Sequence, residues 1–342
     1  MDIKITKGRF SNLIAYDLVK IVLAIVAAVF VWVLLFTTCA TRATVGEQFY
    51  LVVFDDVYYK DDYATDVVTR LKSEKKLSYD VLSLNVSKVT SAGNYNALYM
   101  LSLKASTKEG DVIVFNGKNE QLQNTDGSLK TDENGAPVMG LNGSAQSIVN
   151  NAYLVPFNEY LDSAKEYLDK FVKDGEIDET AVKNYFLNVR IKSAGNYKKT
   201  YRTDEQKAEG VKNEIERIKT LLENYEIVVN AIEKAKESDV DLLWYADFYP
   251  GEEYEKKHVP YGIDLYKLNE ASAANGGTKL SEYWYYWEKS GTESDSSSAQ
   301  ESRKSDGLVM AVFNYGNDQY DLQFESLAVV ADTIKSFSNY AD

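Results

Sequence analysis

One cysteine, Cys39, and one histidine, His258, are all that 342 residues offer of the side chains that most often hold zinc or serve as nucleophile and base. A lone thiol cannot close an intrachain disulfide, so no disulfide framework staples the fold. A lone imidazole excludes His-rich zinc clusters. A Ser-His-Asp triad would have to be built on His258, which sits beside Lys256, Lys257 and Pro260 and reads as an exposed loop residue. Positive charge is also short: 38 Lys and Arg stand against 52 Asp and Glu, a net charge of −14, and such a surface repels nucleic acid. No phosphate-cradling glycine loop, metal quartet or nucleophile elbow occurs, so neither a cofactor nor an enzymatic activity is expected.

What the chain does have is an uncharged run from Ile21 to Ala40, IVLAIVAAVFVWVLLFTTCA, bracketed by Lys20 and Arg42. As a helix it would be about 30 Å long, the thickness of a bilayer's hydrocarbon core. It exceeds the roughly 7–15 apolar residues of a cleaved signal. Thr38-Cys39-Ala40 is a poor cleavage match, and Thr38 before Cys39 does not suit lipidation. The run therefore predicts an uncleaved transmembrane helix. Lys4, Lys7, Arg9 and Lys20 against Asp2 and Asp17 keep the N-terminal side cytoplasmic by the positive-inside tendency. The expected organisation is a cytoplasmic arm over 1–20, a single-pass span over 21–40, a juxtamembrane linker over 41–48 and an extracytoplasmic α/β domain over 49–342 at a bacterial cell surface.

Within that domain, Phe49 to Phe54 (FYLVVF) predicts a buried strand, followed by Asp55 and Asp56. Asp61 or Asp62 would cap a helix with Tyr63, Val67 and Leu71 inward. Tyr79 to Val86 predicts a second strand, Tyr95 to Lys104 a second helix, and Asp111 to Phe115 a third strand. Strands alternating with helices imply a βαβαβ unit with a parallel sheet.

The order of Gly110-Asp111-Val112-Ile113-Val114-Phe115 and, downstream, Ala152-Tyr153-Leu154-Val155-Pro156-Phe157-Asn158-Glu159-Tyr160-Leu161 resembles the first lobe of bacterial extracellular solute-binding proteins, the receptors of ABC importers. The resemblance spans about 49–170 and, more faintly, Tyr261 to Leu265 and the last strand and helix. It implies a type II periplasmic-binding-protein-like fold, a parallel or mixed sheet with flanking helices. It also implies a cleft for a small solute such as a sugar or peptide.

The stretch 116–143 is rich in Gly, Asn and Asp and predicts a polar hairpin. With Gly127 at position 6 of a calcium loop, Asn124, Asp126 and Glu133 fall on ligand positions, but Leu122 at position 1 has no oxygen to give. Further on, Asn158 would cap a helix with Leu161, Ala164, Leu168 and Phe171 inward, and Tyr185 to Lys192 (YFLNVRIK) reads as a strand. A long helix follows over Asp204 to Lys236, with a heptad seam of Val211, Ile215, Ile218, Leu222, Tyr225, Val229 and Ile232. Leu221 and Val228 widen that stripe, which suits packing in a globular body better than a two-stranded coil. Asp241 to Tyr249 and Val259 to Leu268 read as strands, Ser290 to Ser305 as a polar loop, Gly307 to Asn314 as a last strand, and Leu327 to Phe337 as a closing helix.

In an open parallel sheet a ligand meets the carboxyl ends of the strands, which nominates Asp55, Asp56, Asn116 and Lys118. Trp244, Tyr245, Trp284 and Trp287 offer flat faces that would stack on sugar rings or line a cleft. The expected function is a membrane-anchored, non-catalytic binding protein whose partners are the bilayer, a small solute and a membrane protein. The alternatives are a surface structural or interaction protein that kept the fold, and an envelope hydrolase with two inward carboxylates.

Overall fold

The computed structural model describes residues 7–39, 43–91, 96–124, 126–173, 175–193, 197–248, 257–290, 300–314 and 322–341. They form two compact units, Met1–Ala43 and Thr44–Asp342. The first unit is the helix α1 (Lys7–Cys39). Its consecutive described side chains run from Lys20 to Leu35 and are exposed. Among the described residues no helix is long and apolar enough to cross a membrane. The transmembrane helix expected over 21–40 is thus corrected: the fold class is α/β without an assigned span. Asp2 and Lys4, on which the expected orientation drew, lie outside the described residues.

The second unit opens with β1 (Gln48–Phe54), β2 (Tyr58–Tyr59), α2 (Tyr63–Ser73), β3 (Ser83–Val89), α3 (Ala97–Thr107) and β4 (Val112–Asn116). β1 lies between β3 and β4 and runs parallel to both. The second strand starts later than its apolar pattern suggests, because Ser78 to Asp80 are drawn into a buried polar cluster described below. Residues 116–143 carry a hairpin of β5 (Asn119–Gln121) and β6 (Met139–Leu141), extended by bridges Gln123–Leu129 and Thr131–Pro137. Among the described residues no group of acids, His or Cys is placed to hold a metal.

Then come α4 (Gly143–Asn150), α5 (Phe157–Leu168), and the short pair β7 (Val172–Lys173) and β8 (Glu176–Ile177). The N-cap position of α5 is Pro156, not Asn158. The strand expected over 185–192 is helical: α6 (Glu179–Tyr185) passes through a π-helical turn, Phe186–Arg190, into α7 (Ile191–Ser193). Asp178 decides this locally, since its carboxylate accepts from the amides of Thr180 and Ala181 and starts a helix. α8 (Tyr197–Thr200) leads into α9 (Asp204–Glu237), which opens on a capping box of Thr203 and Gln206.

β9 (Leu243–Phe248), β10 (Lys257–Asp264), α10 (Leu265–Ala274), β11 (Trp284–Ser290), β12 (Gln300–Lys304), β13 (Leu308–Val312) and α11 (Ser326–Phe337) complete the chain. The strand expected to reach Leu268 stops at Asp264, whose carboxylate accepts from the amides of Tyr266 and Lys267 and caps α10. The end of the expected 290–305 loop is strand, because β12 pairs with β11; residues 291–299 lie outside the described set.

The main sheet has the order β3-β1-β4-β13-β10-β9. It is mixed, because β13 runs antiparallel to both of its neighbours. Strand alternation splits its side chains between two covers. Leu51, Val53, Val112, Val114 and Met310 meet α2, α5, α9, α10 and α11, whereas Val52, Ile113, Phe115, Val309 and Ala311 meet α3 and α4. Helices on both faces explain why the central strands are continuous apolar runs.

α9 shows how the heptad reading slipped. Its buried line is Gly210, Glu214, Arg217, Leu221, Asn224, Val228 and Ala231, with Ile218, Ile232 and Ala235 beside it. Val211, Ile215, Leu222, Tyr225 and Val229 are only half-buried. The inward seam runs one position before the apolar one, and three of its seven residues, Glu214, Arg217 and Asn224, are polar.

Candidate functional site

The backbone turns away from the sheet just after β1 and β4, and these two turns with the start of α4 surround an open cavity of about 370 Å³. Asp55, Asp56, Asn116, Lys118, Glu120, Asn142 and Ser144 line it. Asp55 occupies the left-handed region at φ 50°, which turns the chain so that two consecutive carboxylates face the strand ends. The Asn116 side-chain amide donates to Asp56 Oδ2 at 2.9 Å, and its carbonyl accepts from the Lys118 amide at 3.0 Å. Asn142 donates to the carbonyls of Asn116 (2.7 Å) and Lys118 (3.1 Å), and accepts from the Ala145 amide to cap α4. The amides thus tie β1, β4 and α4 together around the opening.

Charge at this cavity is acidic. Burial raises the Asp55 carboxyl above its ordinary range, the neighbouring Asp56 adds to the rise, and Lys88 opposes it. Lys118 contributes its stem, because its ammonium is held elsewhere: 2.8 Å from Asp306, 3.2 Å from Glu288 and 3.0 Å from the Tyr286 hydroxyl. Burial pushes the Tyr286 hydroxyl up to about 12, with its bond to Asp306 adding to the rise against Lys118. Lys118 is therefore a clamp between the end of β4 and the small sheet of β12, β11 and β2.

Of the eight residues nominated from sequence, the structure brings Asp55, Asp56, Asn116 and Lys118 to one cavity; none of the four aromatics lines it. Trp244 lies beneath it, its indole N–H donating to the Gly117 carbonyl at 3.3 Å. A Cβ on Gly117 would stand 2.8 Å from that ring, so only glycine fits over it. Tyr245 stacks on His258 at 5.1 Å, and the imidazole Nδ1 lies 2.9 Å from Asp247. His258 is thus on a strand, not in a loop, though its side chain is exposed. Trp284 is buried, edge-on to Tyr59 and Tyr63. Trp287 is 41% exposed and packs against Tyr285, with the Arg303 guanidinium 5.4 Å from its ring. Strand alternation on β11 places Trp284 and Trp287 on opposite faces.

A second polar assembly escaped the sequence reading. Arg190, at the end of the π-helical turn and fully buried, donates to Asp80 and Glu214, both at 2.7 Å. Arg217 donates to Glu214 at 2.9 Å and to the Tyr167 hydroxyl at 2.6 Å, and lies 3.6 Å from Glu325. Tyr79 donates to Glu214 at 2.8 Å, and Glu325 accepts from the Ser78 amide at 2.7 Å. Burial alone would raise the Glu214 carboxyl, yet Arg217, Arg190 and their hydrogen bonds hold it at about 2. Glu325 moves upward, because its burial outweighs the attraction of Arg217. The signal was a polar pair, Glu214 and Arg217, spaced i, i+3 in line with Leu221 and Val228.

Compared with family models, curated proteins and solved structures, the chain matches none. The likeness to solute-binding receptors rests on the residues quoted for it.

Proposed function

We propose that this protein is a non-catalytic binding module that captures a small polar solute at the carboxyl ends of β1 and β4. One observation carries the reading: carboxylates of Asp55, Asp56 and Glu120, amides of Asn116 and Asn142 and the Ser144 hydroxyl converge from separate loops on one cavity of about 370 Å³. Ligands of open α/β sheets meet this edge. The carboxylates accept from hydroxyls and three acids favour a cationic group, while the Asn116 and Asn142 amides, bonded to the protein, hold Asp56 and the strand ends in place. The solute class is therefore a polyol, a sugar or a small amine. With the tryptophans placed outside the cavity, affinity here depends on hydrogen bonds and charge rather than on ring stacking.

A thermal-shift series on the full chain with monosaccharides, polyols and diamines tests this. A binding solute raises the melting temperature by mass action, and Asp56→Asn with Asn116→Ala should abolish the rise. An equal rise in that double variant would overturn the assignment of the site. No rise with any of these solutes would favour the alternative, an interaction protein that kept the fold without a ligand.

A further inference from the structure

Behind the main sheet, where the end of α2 meets the first half of α9, a larger cavity of about 510 Å³ opens to solvent. Its walls carry Lys72, Lys75, Lys212 and Arg217 against Glu209 and Glu216. Arg217 is offset by Glu214 and Glu325 behind it, so three lysines against two glutamates leave a surplus of one positive charge at the opening, on a chain whose net charge is −14. The four cations differ in what already occupies them. Arg217 is committed to Glu214, and Lys72 donates to the Ser78 carbonyl at 2.7 Å. Lys75 and Lys212 make no ion pair among the described residues. Lys75 is held in the left-handed region at φ 59°, in the turn that closes α2, so its place at the rim is fixed by the backbone. The floor is rigid too, because the Arg217 wall is part of the buried cluster that ties α9 to Ser78 and Glu325.

We infer that this cavity is a second binding site, independent of the one proposed above, and that it takes a small dianion carrying a phosphate or two carboxylates. A concave site with surplus cations focuses the field and concentrates anions even on an acidic protein. Asn213 supplies a polar side chain at the wall. The volume lies within the 300–1,000 Å³ span of small-molecule sites.

Isothermal titration of the full chain with inorganic phosphate and with succinate, at constant ionic strength made up with chloride, tests the inference. Binding of either probe is expected, with affinity at least tenfold weaker in the double variant Lys75→Gln, Lys212→Gln. Phosphate alone binding would narrow the ligand to a phosphate ester, and succinate alone to a dicarboxylate. Neither binding, or equal affinity in the double variant, overturns the site. Lys165→Gln removes an exposed cation from α5 and serves as the control; a loss there equal to that of the double variant would show diffuse attraction only and overturn the site as well.

Discussion

Two cavities in one body differ in how they are built. At the ends of β1 and β4 the lining is half-exposed, drawn from loops, and held by neutral amides that bond carboxylates and carbonyls. Below α2 and α9 the wall is backed by charges almost wholly out of water, each satisfied by another. The difference is one of tolerance. Solvated polar groups cost little to change, whereas removing one member of a buried ion pair strands its partner in a low-dielectric interior.

The widest gap between the two regions should come from Arg190→Met, which leaves Asp80 and Glu214 buried without their shared guanidinium. A loss of about 3–5 kcal/mol is expected in urea unfolding. A loss under 1 kcal/mol would show that the cluster is not what holds α9 to the turn at 78–80.

Next in size is a contrast between two acids of the cluster. Glu214, held at about 2 against an ordinary 4.5, contributes roughly 3 kcal/mol through its ionised form. That contribution is complete above about pH 4.5 and fades as pH falls toward 2. Glu325 has the opposite sign: its native value is raised, so the native state binds its proton more tightly, and stability rises as pH falls through that value. At pH 7, Glu214→Gln should therefore cost several times what Glu325→Gln costs. The penalty for Glu214→Gln should also shrink below pH 4.5. Equal penalties at pH 7 would remove the distinction.

Gly117→Ala should cost about 1–3 kcal/mol by driving a methyl into Trp244, and should weaken solute binding with it, since Gly117 stands between Asn116 and Lys118. Smallest in stability is Asp56→Asn, expected within about 0.5 kcal/mol of the parent because the side chain is exposed. Its affinity for a bound amine or polyol should nonetheless fall at least tenfold. A large stability loss with unchanged affinity would invert the comparison.

The same contrast explains what the sequence made legible. Asp55, Asp56 and Asn116 can be placed at one edge of the sheet from the sequence because apolar runs locate strand ends, and topology brings those ends together at one cavity. Arg190 was not found, because Phe186 to Arg190 reads as well in a strand as in a helix. The choice was made by the Asp178 cap and by partners on α9 and the 78–80 turn. The tryptophans illustrate a third case: their type was plain, but the face each one takes depends on register, and register placed Trp244 under the cavity, Trp284 in the core and Trp287 at the surface. On α9 the apolar period was right and the inward line stood one residue away, since Glu214 and Arg217 are buried by each other's charge rather than by apolarity.

The bond from the Ser78 amide to Glu325 spans 247 residues of sequence, and that from Arg190 to Asp80 spans 110. Such contacts repay the entropy of closing long loops only when the ends meet. We expect these charges to lose their water after the rate-limiting step, as the last of the packing closes. Weakening the cluster should then speed escape from the native state while refolding keeps its pace, so that the cluster bears on the lifetime of the folded protein more than on the rate at which it forms.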